Sequence, residues 1–105
     1  MSYCPMAEEL GYEEKTTFWV DFSIADRFGE SAVRDTFNRA FEEWKSDYVY
    51  LTELVMILNW KCWQWYGLGN LSMSKLYEEL YYKAHDYAST TLKDEELEYY
   101  YATTD

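Results

Sequence analysis

Residues 51–65 read LTELVMILNWKCWQW, a stretch whose apolar side chains leave almost no angular gap when it is wound as a helix. Leu51, Leu54, Val55, Leu58, Cys62 and Trp65 follow the i, i+3, i+4, i+7 spacing that lines one side of an α-helix. A second set, Tyr50, Met56, Ile57, Trp60 and Trp63, covers much of the remaining circumference, and the polar interruptions are Thr52, Glu53, Asn59, Lys61 and Gln64. A helix apolar nearly all round is buried on several sides, so the other segments must pack around this one. Spanning a bilayer takes about 20 mostly apolar residues, and Glu53, Asn59, Lys61 and Gln64 exclude that reading. The aromatic surplus at the end of the stretch, Trp60, Trp63, Trp65 and Tyr66, is read first as core and second as a face for a partner chain.

A chain of 105 residues has room for one domain and can bury a core without metal or disulfide support. The net charge of −11 accompanies a hydrophobic share of 49%, that of a globular protein, so acidity does not impose disorder throughout. Twelve tyrosines and five tryptophans supply large buried area for few rotamers, and both residue types are also enriched at binding surfaces. Cys4 and Cys62 make a poor disulfide framework and read as free thiols in a reducing compartment. The opening MSYCPMAEELGYEEK has neither the basic start nor the apolar centre of a secretory signal. The expectation is a cytoplasmic protein that binds no membrane and carries no cofactor.

In chain order, residues 1–16 mix Pro5 and Gly11 with acidic pairs and read as an irregular acidic arm; residues 17–105 form a single helical domain. Thr16 or Thr17 is the expected cap of a first helix ending at Phe28, with Gly29 as its stop. Ser31 is the expected cap of a second helix carrying Val33, Phe37, Ala40, Phe41, Trp44 and Tyr48, with an Asp35–Arg39 pair on its outer face. Ser46 and Asp47 mark a break before the central helix. Gly67 to Asn70 form a turn into a fourth helix, from Ser72 or Ser74 to Ala88, whose inner stripe is Met73, Leu76, Tyr77, Leu80, Ala84, Tyr87 and Ala88. Thr91 and Asp94 resemble a start signal for a last short helix, in which Leu97 and two of Tyr99, Tyr100 and Tyr101 dock on the core. The tail from Ala102 is expected to fray. The fold class is therefore all-α: a compact bundle of about four main helices around a central apolar helix, plus a short C-terminal one.

Charge is unevenly placed. Residues 1–16 hold four acids and one lysine, and residues 91–105 hold five acids and one lysine, so the two ends carry −7 of the total −11. If both ends lie on one side of the bundle, Glu13, Glu14, Asp94, Glu95, Glu96 and Glu98 form an acidic surface with Tyr99, Tyr100 and Tyr101 as aromatic anchors. Such a surface suits a basic partner, and carboxylates spaced on helices can imitate DNA phosphates. The bland alternative is solvated ends that keep the chain soluble. Direct nucleic-acid binding has the wrong sign: Arg27, Arg34, Arg39 and Lys45 are interleaved with Asp26, Asp35, Glu42 and Glu43.

Catalytic and metal motifs are sparse. His85, the one histidine, sits between Lys83 and Asp86 on a helix flank, with no serine or cysteine placed beside it in sequence. There is no HExxH, CxxC or EF-hand loop. Adjacent carboxylates such as Glu42 with Glu43 and Glu78 with Glu79 diverge by about 100° on a helix and read as solvent-facing charge. The chain is not expected to be an enzyme.

The run FWVDFSIADRFGESAVRDTFNRAFEEWKSDYVYLTELVMILNWKCWQWY, with LYEELYYKAHDYA and the ending LKDEELEYYYATTD, resembles small uncharacterised acidic proteins encoded by phages and integrative elements of Gram-positive gut bacteria. What the resemblance implies is a context in which short acidic inhibitors, anti-CRISPR proteins among them, are common. The functional expectation is an acidic interaction protein that occupies a basic nucleic-acid-binding site on a partner protein. The alternative is a self-associating structural or regulatory helical protein without inhibitory activity, a homodimer joined through Trp60, Trp63 and Trp65.

Overall fold

The computed structural model describes residues 13–104, with side chains from Phe18 onward. They form five helices: α1 (Glu13–Phe28), α2 (Glu30–Trp44), α3 (Tyr48–Gly67), α4 (Leu71–Thr91) and α5 (Asp94–Thr104). No strand occurs among the described residues, and the all-α bundle expected from the periodicity is the architecture found.

The central apolar helix is α3, and it packs against each of the other four. Leu51, Leu54, Val55, Ile57 and Leu58 have essentially no solvent exposure. Around them lie Phe18, Phe22 and Ala25 of α1, Val33, Phe37 and Ala40 of α2, Leu76, Tyr77, Leu80, Ala84 and Ala88 of α4, and Tyr100 of α5. Each fully buried aliphatic or aromatic side chain contributes about 1.5–3 kcal/mol relative to exposure, so this single cluster supplies the drive to fold.

The connections are short and their backbone groups are satisfied. Gly29 alone separates α1 from α2: its N–H donates to the Ala25 carbonyl at 3.1 Å, and its carbonyl accepts from Val33 N–H at 3.2 Å. One residue thus closes one helix and opens the next, at φ 103° and ψ −170°, a region open to glycine and costly for other residues. Because α2 is already wound at Glu30, the expected Ser31 cap is not used. Asp47 provides the expected break before α3, its Oδ1 accepting from Val49 N–H at 3.0 Å and Tyr50 N–H at 3.4 Å. Asn70 caps α4 by accepting from Met73 N–H at 3.1 Å, which starts that helix at Leu71 rather than at a serine.

Several boundaries differ from the expectation. Helix α1 begins at Glu13, before Thr16, consistent with an acidic pair at the positive end of a helix dipole. The rest of the expected arm, residues 1–12, lies outside the described residues. Helix α4 continues to Thr91, and α5 includes Ala102 to Thr104, where Thr104 Oγ1 donates to the Tyr100 carbonyl at 2.7 Å. Arg39 pairs with Asp21 of α1 at 3.2 Å instead of with Asp35, which cross-links α1 to α2.

The largest correction concerns the aromatic end of α3. Trp60, Trp63 and Tyr66 are not core; they are 50%, 64% and 59% exposed. The reason is uneven coverage. Ring contacts from α2 and α5 fall on the first turn of α3, Trp44 on Tyr50 and Tyr99 on Tyr48. Its last turns meet α1 through Trp19 on Trp60 and α4 through Ser74 on Cys62.

A paired substitution tests the connection chemistry. Gly29→Ala is expected to destabilise the fold by about 1–3 kcal/mol. Gly67→Ala, where a Cβ would enter open space, is expected to be neutral or to stabilise by up to about 1 kcal/mol. Urea unfolding of both variants against the parent chain is the check.

Candidate functional site

One polar cluster sits inside the bundle. Lys61, a polar interruption in the apolar stretch, is only 3% exposed. Its ammonium donates to Asp26 Oδ2 at 2.9 Å and to Ser23 Oγ at 3.2 Å, both on α1. Tyr77 of α4 donates its hydroxyl to the other oxygen of Asp26 at 2.5 Å. Burial first, and then the Asp26 carboxylate, push the Tyr77 phenol well above its ordinary value. Three helices are thereby tied together by one buried carboxylate. The net stability of such an ion pair is small, because desolvation offsets attraction, but removing one partner leaves a buried charge and costs about 3–5 kcal/mol.

Beside this cluster lies a cleft of about 350 Å³ between α1 and α3, lined by Ser23, Asp26, Arg27, Trp60, Lys61, Gln64 and Trp65. Asp26 and Lys61 satisfy each other, so neither is an uncommitted acid or base for proton transfer. Gln64 Oε1 and Trp65 Nε1 are buried without a hydrogen-bond partner among the described residues. Arg27 is exposed and makes no ion pair among them.

The other chemically distinctive side chains are also engaged. His85 Nδ1 lies 2.6 Å from the Tyr100 hydroxyl, and Tyr81 stacks parallel to the imidazole at 5.7 Å. Burial raises the Tyr100 phenol above its usual range. The Cys62 thiol is 3.6 Å from Ser74 Oγ, which itself donates to the Cys62 carbonyl at 3.0 Å. Among the described residues no group of three or more His, Cys, Asp or Glu side chains is placed to hold a metal, and no helix is long and apolar enough to cross a membrane.

The two ends of the bundle differ in charge. Trp44 packs on Tyr50, and Tyr48 on Tyr99, which brings the end of α2, the start of α3 and helix α5 to one end, while α1 crosses α3, with Phe18 on Trp44 and Trp19 on Trp60. That end carries Glu42, Glu43, Asp47, Asp86, Asp94, Glu95, Glu96 and Glu98, all exposed; the expected site residues Glu13 and Glu14 open α1, and their side chains lie outside the described ones. Glu95, Glu96 and Glu98 make no ion pair among the described residues. At that end Glu42 pairs with Lys45 at 3.1 Å; away from it, Arg34 sits 3.0 Å from Glu30 and 2.6 Å from Glu79, whose carboxyl it holds below the usual range. The opposite end carries Trp60, Trp63, Tyr66, Leu68 and Leu71, each at least half exposed. It lies about 22 Å along α3 from Tyr48, at 1.5 Å per residue.

The expected site residues thus separate into groups. Glu95, Glu96 and Glu98 are exposed together on α5; Asp94 is too, but at φ 53° it also makes the reversal from α4, a conformation Asp tolerates better than most residues. Tyr100 is fully buried against His85 and is not a surface anchor; Tyr99 is half covered by Tyr48, and Tyr101 is 41% exposed. Trp60 and Trp63 share the open face of α3, whereas Trp65 turns inward beside the cleft. The periodicity missed the Asp26–Lys61–Tyr77 cluster. Its signal was a lysine midway along an apolar helix, which requires a buried carboxylate elsewhere.

Two variants test the cluster. Lys61→Ala is expected to destabilise by about 3–5 kcal/mol. For Tyr77 the folded phenol titrates above its unfolded value, so its contribution is complete below about pH 10 and is lost as pH rises through the folded value. Tyr77→Phe is expected to lower neutral-pH stability by about 1.5–3 kcal/mol and to flatten the alkaline decline. Denaturant midpoints followed from neutral to strongly alkaline pH decide it.

The chain matches no family model, no curated protein and no solved structure.

Proposed function

We propose that this chain acts by binding, as an acidic inhibitor that covers a basic nucleic-acid-binding surface on a partner protein. The observation that carries the proposal is the gathering, at one end of the bundle, of the acidic end of α2 and the α5 carboxylates, of which Glu95, Glu96 and Glu98 make no ion pair among the described residues. A concentrated field of one sign steers an oppositely charged partner and accelerates encounter. The carboxylates of α5 project from a rigid helix docked through Tyr100 and Leu97, so they keep a fixed spacing without an ordering cost on binding. Tyr101 supplies an exposed ring among them. In this role the carboxylates stand where nucleic-acid phosphates would lie. The resemblance to phage and integrative-element proteins supplies a biological setting for such an inhibitor.

The local alternative is that Asp94, Glu95 and Glu96 merely complement the positive end of the α5 dipole. Glu98 lies beyond the first turn, and Glu42 and Glu43 lie at the far end of α2, where negative charge is unfavourable to the dipole; neither is explained that way.

The test leaves Asp94 in place because of its backbone role and changes Glu95, Glu96 and Glu98 to Gln. Tagged parent and variant chains are used to capture proteins from nuclease-treated bacterial lysate at low and high salt. The expected result is a basic nucleic-acid-binding protein released by salt, with association to the variant slowed at least about tenfold. Circular dichroism should be unchanged. A partner held equally by both chains at high salt overturns the proposal.

A further inference from the structure

We infer that the end of the bundle opposite α5 is a self-association surface, and that its occupant is a second copy of this chain. Trp60, Trp63 and Tyr66 occupy the open side of α3, and Leu68 and Leu71 extend the apolar surface across the turn into α4; all five are at least half exposed. Trp63 packs edge-on against Tyr66 at 5.8 Å, while Trp60 is braced by Trp19 of α1 at 5.0 Å. These rings are held in place before any partner arrives, so ordering them costs little on association.

Charge selects the occupant. In a chain of net charge −11, residues 54–77 contain no carboxylate at all and two lysines. The nearby exposed cations are Arg27 and Lys75, and the carboxylate bordering the Trp63 hollow is Glu78. A basic partner is drawn to the other end of the molecule and finds no complementary charge here. Two copies of an acidic chain, by contrast, approach most closely where carboxylates are sparse, and here Asp26 is already paired with Lys61 and Glu78 is offset by Arg27 and Lys75 in net count.

Self-complementary contact through one patch gives a closed two-fold pair. The pairing leaves both acidic ends pointing away from the interface, so the dimer is bivalent toward a basic partner, and two contacts to a repetitive target raise avidity without any new interaction.

Sedimentation velocity from about 1 μM to about 1 mM tests the inference on the full chain. The expected result is a monomer–dimer equilibrium that tightens with added salt, because screening relieves repulsion between two strongly acidic copies. Trp63→Glu is expected to weaken dimerisation at least about 100-fold with circular dichroism unchanged, since the side chain lies outside the core. Tyr101→Glu, at the other end, leaves the dimer intact, and so does the α5 glutamine variant, which separates this inference from the inhibitor proposal. A chain monomeric throughout, a dimer that loosens with salt, or a dimer indifferent to Trp63→Glu overturns it.

Discussion

Burying α3 is the constraint from which the rest of the bundle follows. Its apolar side chains leave no single outward face, so one packing partner cannot satisfy it, and α1, α2, α4 and α5 each take a share. Lys61 makes this demand specific. A lysine in the middle of such a helix needs a carboxylate at one position and one distance, and Asp26 supplies it while also accepting from Tyr77. Apolar area alone is tolerant of small rotations between helices; a buried ion pair with a third hydrogen-bonded partner is less so. The cluster therefore has a role in fixing how α1, α3 and α4 meet, even though its net contribution to stability is modest.

Much of the fold was legible because its signals are local. Helical spacing marked the inner faces of α2 and α4, and Asp47 and Asn70 mark helix starts through side-chain oxygens that reach the next turn. Gly29 marks a chain reversal by the conformation it alone tolerates. What could not be read depends on partners distant in sequence. Trp60 and Trp63 share the composition of a core segment, and only the placement of α2 and α5 on the first turn of α3 leaves them exposed. Tyr99, Tyr100 and Tyr101 are chemically alike and adjacent, yet one is buried and one is open because a helix rotates each by about 100°. Arg39 had a sequence-adjacent candidate in Asp35 and pairs with Asp21 instead, since the close antiparallel approach of α1 and α2 offers the nearer carboxylate.

The distribution of charge along the molecule has a similar origin. Antiparallel packing of short-looped helices returns the chain to the same end every second crossing, so acids distant in sequence, at Glu43 and Glu98, come to the same end. The α3–α4 turn lies at the other end, and around it residues 54–77 place aromatic and aliphatic side chains with no carboxylate among them. Two surfaces of opposite chemistry thus arise from topology and from residue placement together. Neither needs a cofactor or a catalytic group.

The brevity of the connections has one more consequence. One residue joins α1 to α2, three join α2 to α3, three join α3 to α4 and two join α4 to α5. Among the described residues there is accordingly no segment long enough to serve as a flap over a bound molecule or to mould itself to differing shapes. Any recognition by residues 13–104 would therefore fall to helix faces whose relative positions are already set. A partner of such a body would meet a surface whose backbone shifts little on contact, so fit rather than adaptation would decide what binds it.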